Sequence, residues 1–156
     1  TYLKVGTIYR YLAVVMDRCS RRIVGWAFGR QKNVALTLRA LNHAVGNRRP
    51  PPGLIFHTDR GIEYAANAFR ERLAELRITQ SMNRPGKMND NAHMESFFHS
   101  MKAEELYGKT FNDDEQLRQA LRSYIAFYNQ QRIHSSLRYL PPAVFEQQQA
   151  QQPCVN

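Results

Sequence analysis

Two acidic residues stand where an acid can do chemistry. Asp59 closes the short apolar run LIFHTD (54–59) and is followed at once by Arg60 and Gly61, which turn the chain. In α/β proteins functional groups gather at the carboxyl ends of strands, although an acid there also suits a simple turn cap. Glu95 falls in the first turn of a helix marked by Met94, Phe97, Phe98 and Met101, with Asn89, Asp90 and Asn91 ahead of it as capping residues. The positive end of a helix favours such an acid. Glu95, His99 and Lys102 recur at i, i+4 and i+7, a polar stripe beside the apolar one. Such a stripe is either an ion-pair face or a carboxylate ligand with phosphate-contacting groups along the same helix. Carboxylates are the hard oxygen ligands that Mg²⁺ and Mn²⁺ accept, and a pair of such ions can hold both the attacking and the leaving oxygen of a phosphodiester displacement.

The elements that must position these acids are legible in the hydrophobic pattern. TYLKV (1–5), YRYLAVVMD (9–17) and RIVGWAFG (22–29) are rich in β-branched and aromatic residues and are separated by turn residues, so three antiparallel strands are expected. Val34, Leu38, Leu41 and Val45 then follow the helical period until the prolines of NRRPPPG (47–53) end it. LIFHT is a fourth strand. Ala65, Phe69, Leu73 and Leu76 mark a helix, RITQSM (77–82) a fifth strand, and NRPGKMNDN (83–91) a polar loop. The Glu95 helix and one carrying Leu117, Leu121, Tyr124, Ile125 and Tyr128 complete the order β-β-β-α-β-α-β-α-α. That order predicts an α/β fold with a mixed five-stranded sheet flanked by helices on both faces. Trp26, Tyr9 and Tyr11 are expected in the core. The Gln-rich stretch 147–156 is expected to be a disordered tail beyond one domain, 1–146.

Composition narrows the partners. The 156 residues carry a net charge of +9, so a polyanion is the first partner to suspect. No apolar run is long enough for a membrane helix. Cys19 and Cys154 are too far apart in sequence for a CxxC knuckle or a disulfide framework. His57 and His93 each precede a key acid by two residues, but no HExxH motif supports a zinc hydrolase.

Thirty-five residues lie between Asp59 and Glu95. With that spacing the sequence resembles the integrase-core transposases of insertion sequences, relatives of retroviral integrases. HTDRGIEY (57–64) is similar to the family's second-acid motif, DNAHMESFFHSMKAEEL (90–106) to its Glu helix, YLAVVMDRCSRRIVGWA (11–27) to its early strand pair and YNQQRIHSSLRYLPPAVF (128–145) to its C-terminal signature. The resemblance implies a ribonuclease-H-like fold and a DNA transposase or integrase core that hydrolyses and transfers DNA strands with two Mg²⁺ or Mn²⁺ ions. It implies Asp59 and Glu95 as metal ligands, Lys102 and His99 as DNA contacts, and a homo-oligomer acting in the bacterial cytoplasm at the nucleoid. Arg60, Arg84 and Lys87 are further candidates for DNA contact. Arg18, Arg21, Arg22, Arg48 and Arg49 are expected to form a diffuse basic surface.

The family's first acid precedes a Thr-Tyr-like pair, matched here by Thr1 and Tyr2, so that acid is expected two residues before Thr1. Asp17 is read as a turn acid rather than its substitute. A fragment lacking the first acid is expected to be inactive alone. A structure-selective nuclease on the same fold and a non-catalytic DNA-binding or oligomerisation remnant are the competing readings. Ile62 and Glu63 depart from the family pattern beside Asp59, a change expected to affect target preference.

Overall fold

The structure is a computed structural model and describes residues 1–84 and 91–151. Three strands, β1 (Tyr2–Val5), β2 (Ile8–Met16) and β3 (Ile23–Gly29), form an antiparallel meander in sequence order. Helix α1 (Val34–Arg48) follows, started by Asn33, whose side chain accepts from the Leu36 amide at 3.0 Å. Strand β4 (Ile55–Thr58) leads into a single helical turn α2 (Ile62–Ala65), then α3 (Asn67–Glu75) and β5 (Thr79–Met82). Helix α4 (Ala92–Met101) runs on into a π-helical turn, Lys102–Leu106. Helix α5 (Asp114–Gln130) is capped by Asp113, and α6 (Pro142–Gln151) closes the described chain.

The period of two along each strand divides the sheet's faces. Leu12 and Phe28 point to one side, where they pack with Leu3, Ile23 and the apolar faces of α4 and α5: Phe97, Met101, Leu117, Leu121, Tyr124 and Tyr128. Ala13 and Ala27 point to the other, against Leu36 and Ala40 of α1. Small residues there let the helix come close. A Cβ built on Gly25 would meet the Ala40 carbonyl oxygen and the Ala44 amide nitrogen at 2.5 Å each, so only glycine fits beneath α1. A third cluster, Leu41, Phe69, Leu73 and Ile78, joins α1 to α3 and β5. The helices therefore cover both faces, as the sequence predicts.

The five expected strands are present, but among the described residues they form two ladders rather than one sheet. β4 pairs parallel with β5 from Ile55↔Thr79 to Thr58↔Met82, and no ladder joins β4 to β1. The cause is local. The β1–β2 ladder runs from Val5↔Ile8 to Tyr2↔Tyr11, and Thr1 adds two more bonds with Leu12. Among the described residues the pairing on this edge of β2 ends at Leu12, and antiparallel alternation turns the backbone groups of Val14 towards the same edge.

Three further expectations change. Tyr9 is 54% exposed and stacks edge-on against Tyr2, because it shares the face of Tyr11 and Ala13 but lies near the hairpin end of β2, beyond the cluster that packs on α1. Residues 147–151 are helical, part of α6, which Glu146 ties down through Arg22, Arg48 and Ser20; residues 152–156 lie outside the described structure. Arg22 and Arg48 are thus ion-paired rather than diffuse surface charge.

The outer edge of β3 is closed by side chains. Asn129 accepts from the Ile23 amide and donates to its carbonyl, both at 2.9 Å. Asn47 donates to the Val24 carbonyl, and His43 Nδ1 lies 3.0 Å from the Trp26 carbonyl oxygen. No helix among the described residues is long and apolar enough to cross a membrane.

Gly25→Ala is expected to destabilise the fold by about 1–3 kcal/mol, because the added methyl collides with rigid helix backbone. Urea unfolding measures this; a variant as stable as the wild type would show that α1 can move away freely.

Candidate active site

A cleft of about 1030 Å³ opens between the two ladders. β2, α1 and β4 contribute much of its lining, and Thr1, Asp59, His93 and Glu95 lie on it together. The sequence separation of Asp59 and Glu95 is therefore bridged in space by one cavity.

Asp59 follows β4 directly and is exposed. Its Oδ1 accepts from the Gly61 amide at 2.8 Å, which orients the carboxylate and leaves Oδ2 available. The strand behind it is pinned by His57, whose Nδ1 lies 3.0 Å from Ser81 Oγ and whose Nε2 lies 2.8 Å from Asn83 Oδ1. Both ring nitrogens of His57 are thereby committed to holding β4 against β5 and the chain that follows, which leaves no free nitrogen for zinc. Arg60 extends its guanidinium to the Asn83 carbonyl oxygen at 3.4 Å.

Glu95 is exposed on the first turn of α4, and His99 is exposed one turn later. Phe97 is 1% exposed and Met101 is fully buried. Phe97 meets the ring of Tyr128 edge-on, with centroids 4.9 Å apart. Burying this side of α4 turns the Glu95–His99–Lys102 stripe away from the core. Lys102 is half-buried and sits over the Tyr2 ring, its Nζ 5.0 Å from the centroid.

The far side of the same helix is clamped. Arg132 donates to both oxygens of Glu104 and, at 3.2 Å, to Ser100 Oγ, while the Tyr124 hydroxyl donates to Glu104 Oε2 at 2.8 Å. These hydrogen bonds, that of Arg132 first, hold the Glu104 carboxyl below its ordinary range. Ser100 and Glu104 follow Glu95 by five and nine residues, which puts them roughly opposite it around the helix. The clamp therefore fixes the rotation of α4 from behind. This gives Arg132 of the C-terminal signature a positioning role that its sequence context leaves open.

Glu63 is the site residue that sequence reasoning missed. It is only 9% exposed, lines the cleft near Asp59, and is paired with Lys32 at 3.3 Å. Its deviation from the family pattern was the available signal, but burial is not readable from residue type. Ile62 beside it is 86% exposed. Asp17 caps its own turn, its Oδ1 accepting from the amides of Cys19 and Ser20. Arg84 is exposed at the far end of β5, and Lys87 lies outside the described residues. Among the described residues no three His, Cys, Asp or Glu side chains cluster closely enough to hold an ion.

The integrase core domain model matches residues 1–88, and a second integrase core domain model matches residues 76–142. The chain belongs to the integrase core domain family. Its curated relatives include the transposase for insertion sequence element IS904 of Lactococcus lactis, 38% identical over 149 residues, covering 94% of this chain and 58% of the relative. Transposase InsF for insertion sequence IS3A of Escherichia coli is 38% identical over 147 residues, covering 94% of this chain and 51% of the relative. An uncharacterized 31 kDa protein of insertion element IS600 from Shigella sonnei is 39% identical over 148 residues, with 94% and 54% covered. The chain thus spans about half the length of the curated relatives it matches. Among solved structures, the HTLV-2 integrase catalytic core domain in complex with magnesium superposes with a TM-score of 0.72 at 16% identity, covering 93% of this chain and 90% of that one. A simian T-cell lymphotropic virus intasome chain gives 0.79 at 17% identity, covering all of this chain and 53% of that one. These likenesses establish the ribonuclease-H-like fold of the integrase core.

The clamp has a pH signature. Glu104 binds its proton more weakly in the folded state, so its contribution is full above the unfolded carboxyl range, about 4.3, and is lost as pH falls through the lower folded value. The stability gap between wild type and Glu104→Gln should therefore be largest near neutrality, roughly 0.5–1 kcal/mol for so accessible a pair, and shrink in acid. A gap independent of pH in urea titrations would contradict the clamp.

Proposed function

We propose that this chain is the catalytic core of a DNA transposase that cleaves DNA strands and joins them by in-line phosphodiester displacement. The observation that carries this reading is the convergence of Asp59 and Glu95 on one cleft in a chain of the integrase core family.

Asp59 and Glu95 would hold the divalent ions. Their chemistry fits Mg²⁺ or Mn²⁺: two accessible carboxylates, hard oxygen donors, one anchored by a backbone amide with an oxygen to spare. When bound, two such ions supply charge stabilisation for the attacking and leaving oxygens. The protein's own contribution is orientation. Gly61 sets the Asp59 carboxylate, the Phe97 packing and the Arg132 clamp set the face that bears Glu95, and Lys102, His99 and Arg60 offer donors to DNA phosphates. Arg84 and Lys87 would order the substrate from the loop that follows β5.

The set is completed in our reading by a third acid two residues before Thr1. Its support is the edge of β2 on which, among the described residues, pairing ends at Leu12. An extension of β1 in that direction would continue the antiparallel ladder past Leu12, form the floor of the cleft and bring its acid towards Asp59. The whole protein would act on DNA as a homo-oligomer, since two element ends must be brought together; solved cores of the HTLV-2 integrase are described in dimeric and trimeric forms. It would work in the cytoplasm of a bacterium, on nucleoid DNA.

The test uses the full-length transposase containing this chain, labelled duplexes carrying the element ends, and Mg²⁺. Wild type should cut and join, whereas Asp59→Asn or Glu95→Gln should lower both activities by more than about a hundredfold, beyond the usual cost of losing a supporting residue around a metal. Cutting without joining would favour a nuclease. Loss of neither activity in the two variants would overturn the assignment. Residues 1–156 alone should show no joining, and robust Mg²⁺-dependent joining by them would remove the need for the upstream acid.

A further inference from the structure

We propose that the turn between β2 and β3 is a phosphate-binding element of the same cleft, with Arg18 contacting the DNA backbone beside the amino end of α4 and Arg21 reinforcing the positive field there. The proposal rests on the reading that the cleft takes DNA, and it assigns a second flank of that cleft.

Arg18 and His93 line the cleft that holds Asp59 and Glu95. The turn that presents Arg18 is rigid. Asp17 accepts from the Cys19 and Ser20 amides at 2.9 and 3.0 Å, and its own amide donates to the Arg22 carbonyl at 2.9 Å. Arg21 is held at φ 62°, a left-handed conformation that costs a non-glycine residue energy and that persists where surroundings impose it. One of its guanidinium nitrogens, Nη1, is shielded from solvent and has no hydrogen-bond partner.

Nearby, Arg22 and Arg48 are neutralised by Glu146. Neither Arg18 nor Arg21 has a carboxylate partner among the described residues, and the one acid in their turn, Asp17, caps backbone amides. Arg18 shares the lining of the cleft with Asn91, His93, Met94 and Glu95, the first turn of α4, and Arg21 follows it in the same turn. A rigid turn with two arginines that lack carboxylate partners, one of them on the cleft of Asp59 and Glu95, is suited to an anion delivered from outside.

The spacing fits a polyanion. His93 and Lys102 are nine residues apart along α4 and its continuation, about 13 Å at roughly 1.5 Å per residue. That distance corresponds to about four phosphate steps on one DNA strand at about 3.4 Å each. Arg18 at one end and Lys102 at the other would then bracket the phosphodiester held at Glu95.

The experiment measures binding of a fluorescein-labelled random-sequence duplex to the chain by anisotropy across a salt series. The proteins are wild type, Arg18→Gln, Arg21→Gln and the control Arg72→Gln. Arg72 removes the same charge but sits on α3, paired with Glu75 and away from the cleft. Arg18 is exposed and makes no hydrogen bond or ion pair among the described residues, so its variant should fold normally; matched thermal melting checks this. Arg18→Gln should reduce the steepness of log K against log salt by about 1, the value for one lost phosphate contact, with Arg72→Gln unchanged. Identical slopes for Arg18→Gln and Arg72→Gln would overturn the inference while leaving the DNA reading intact. Failure of the wild type to bind would overturn both.

Discussion

The direction in which α4 presents Glu95 depends on the burial of Phe97. Fully burying an aromatic side chain is worth roughly 1.5–3 kcal/mol, and Phe97 fills the junction of the β1–β3 meander with α4 and α5. Because α4 has one face committed to that junction, its stripe of Glu95, His99 and Lys102 has only the opposite direction available. Arg132 and Glu104 then remove the remaining freedom, rotation about the helix axis. Helix α4 is thus held by an apolar contact that sets its depth and an ionic one that sets its angle. The second is weaker than the first but more directional.

Asp59 is held differently. It hangs from the end of a four-residue strand whose parallel partner is equally short. Parallel pairs are slightly less stable per residue than antiparallel ones, and the ladder here gains reinforcement from His57, which spans from β4 to Ser81 and Asn83. A residue that in isolation suggests metal chemistry is instead a structural staple two residues behind the acid.

Much of this was legible in the chain itself. The strand ending at Asp59, the helix bearing Glu95 and the apolar faces of α1, α3 and α5 follow from local period and turn residues, and they are where expected. What escaped is what depends on partners distant in sequence. Whether an arginine is free or neutralised is decided by contacts such as Arg22 and Arg48 with Glu146, about a hundred or more residues away. No local pattern announces those. The same holds for buried Glu63, for Arg132 meeting Glu104, and for α6, whose Gln-rich sequence has little amphipathic pattern but is anchored by one acid at the right place. The division of the strands into two ladders was also unreadable, because strand propensity says nothing about which neighbour a strand will find.

The closed edge of β3 constrains how copies of this chain can meet. An exposed strand edge invites a second strand and can propagate into open-ended aggregates. Here the amide and carbonyl of Ile23, the carbonyl of Val24 and the backbone of Trp26 are already occupied by Asn129, Asn47 and His43. Addition of a strand at this edge would have to evict side chains that reproduce a ladder's own hydrogen bonds. Any assembly using this side of the molecule must instead recognise side-chain surfaces, which close into finite, symmetric complexes more readily than a shared ladder does.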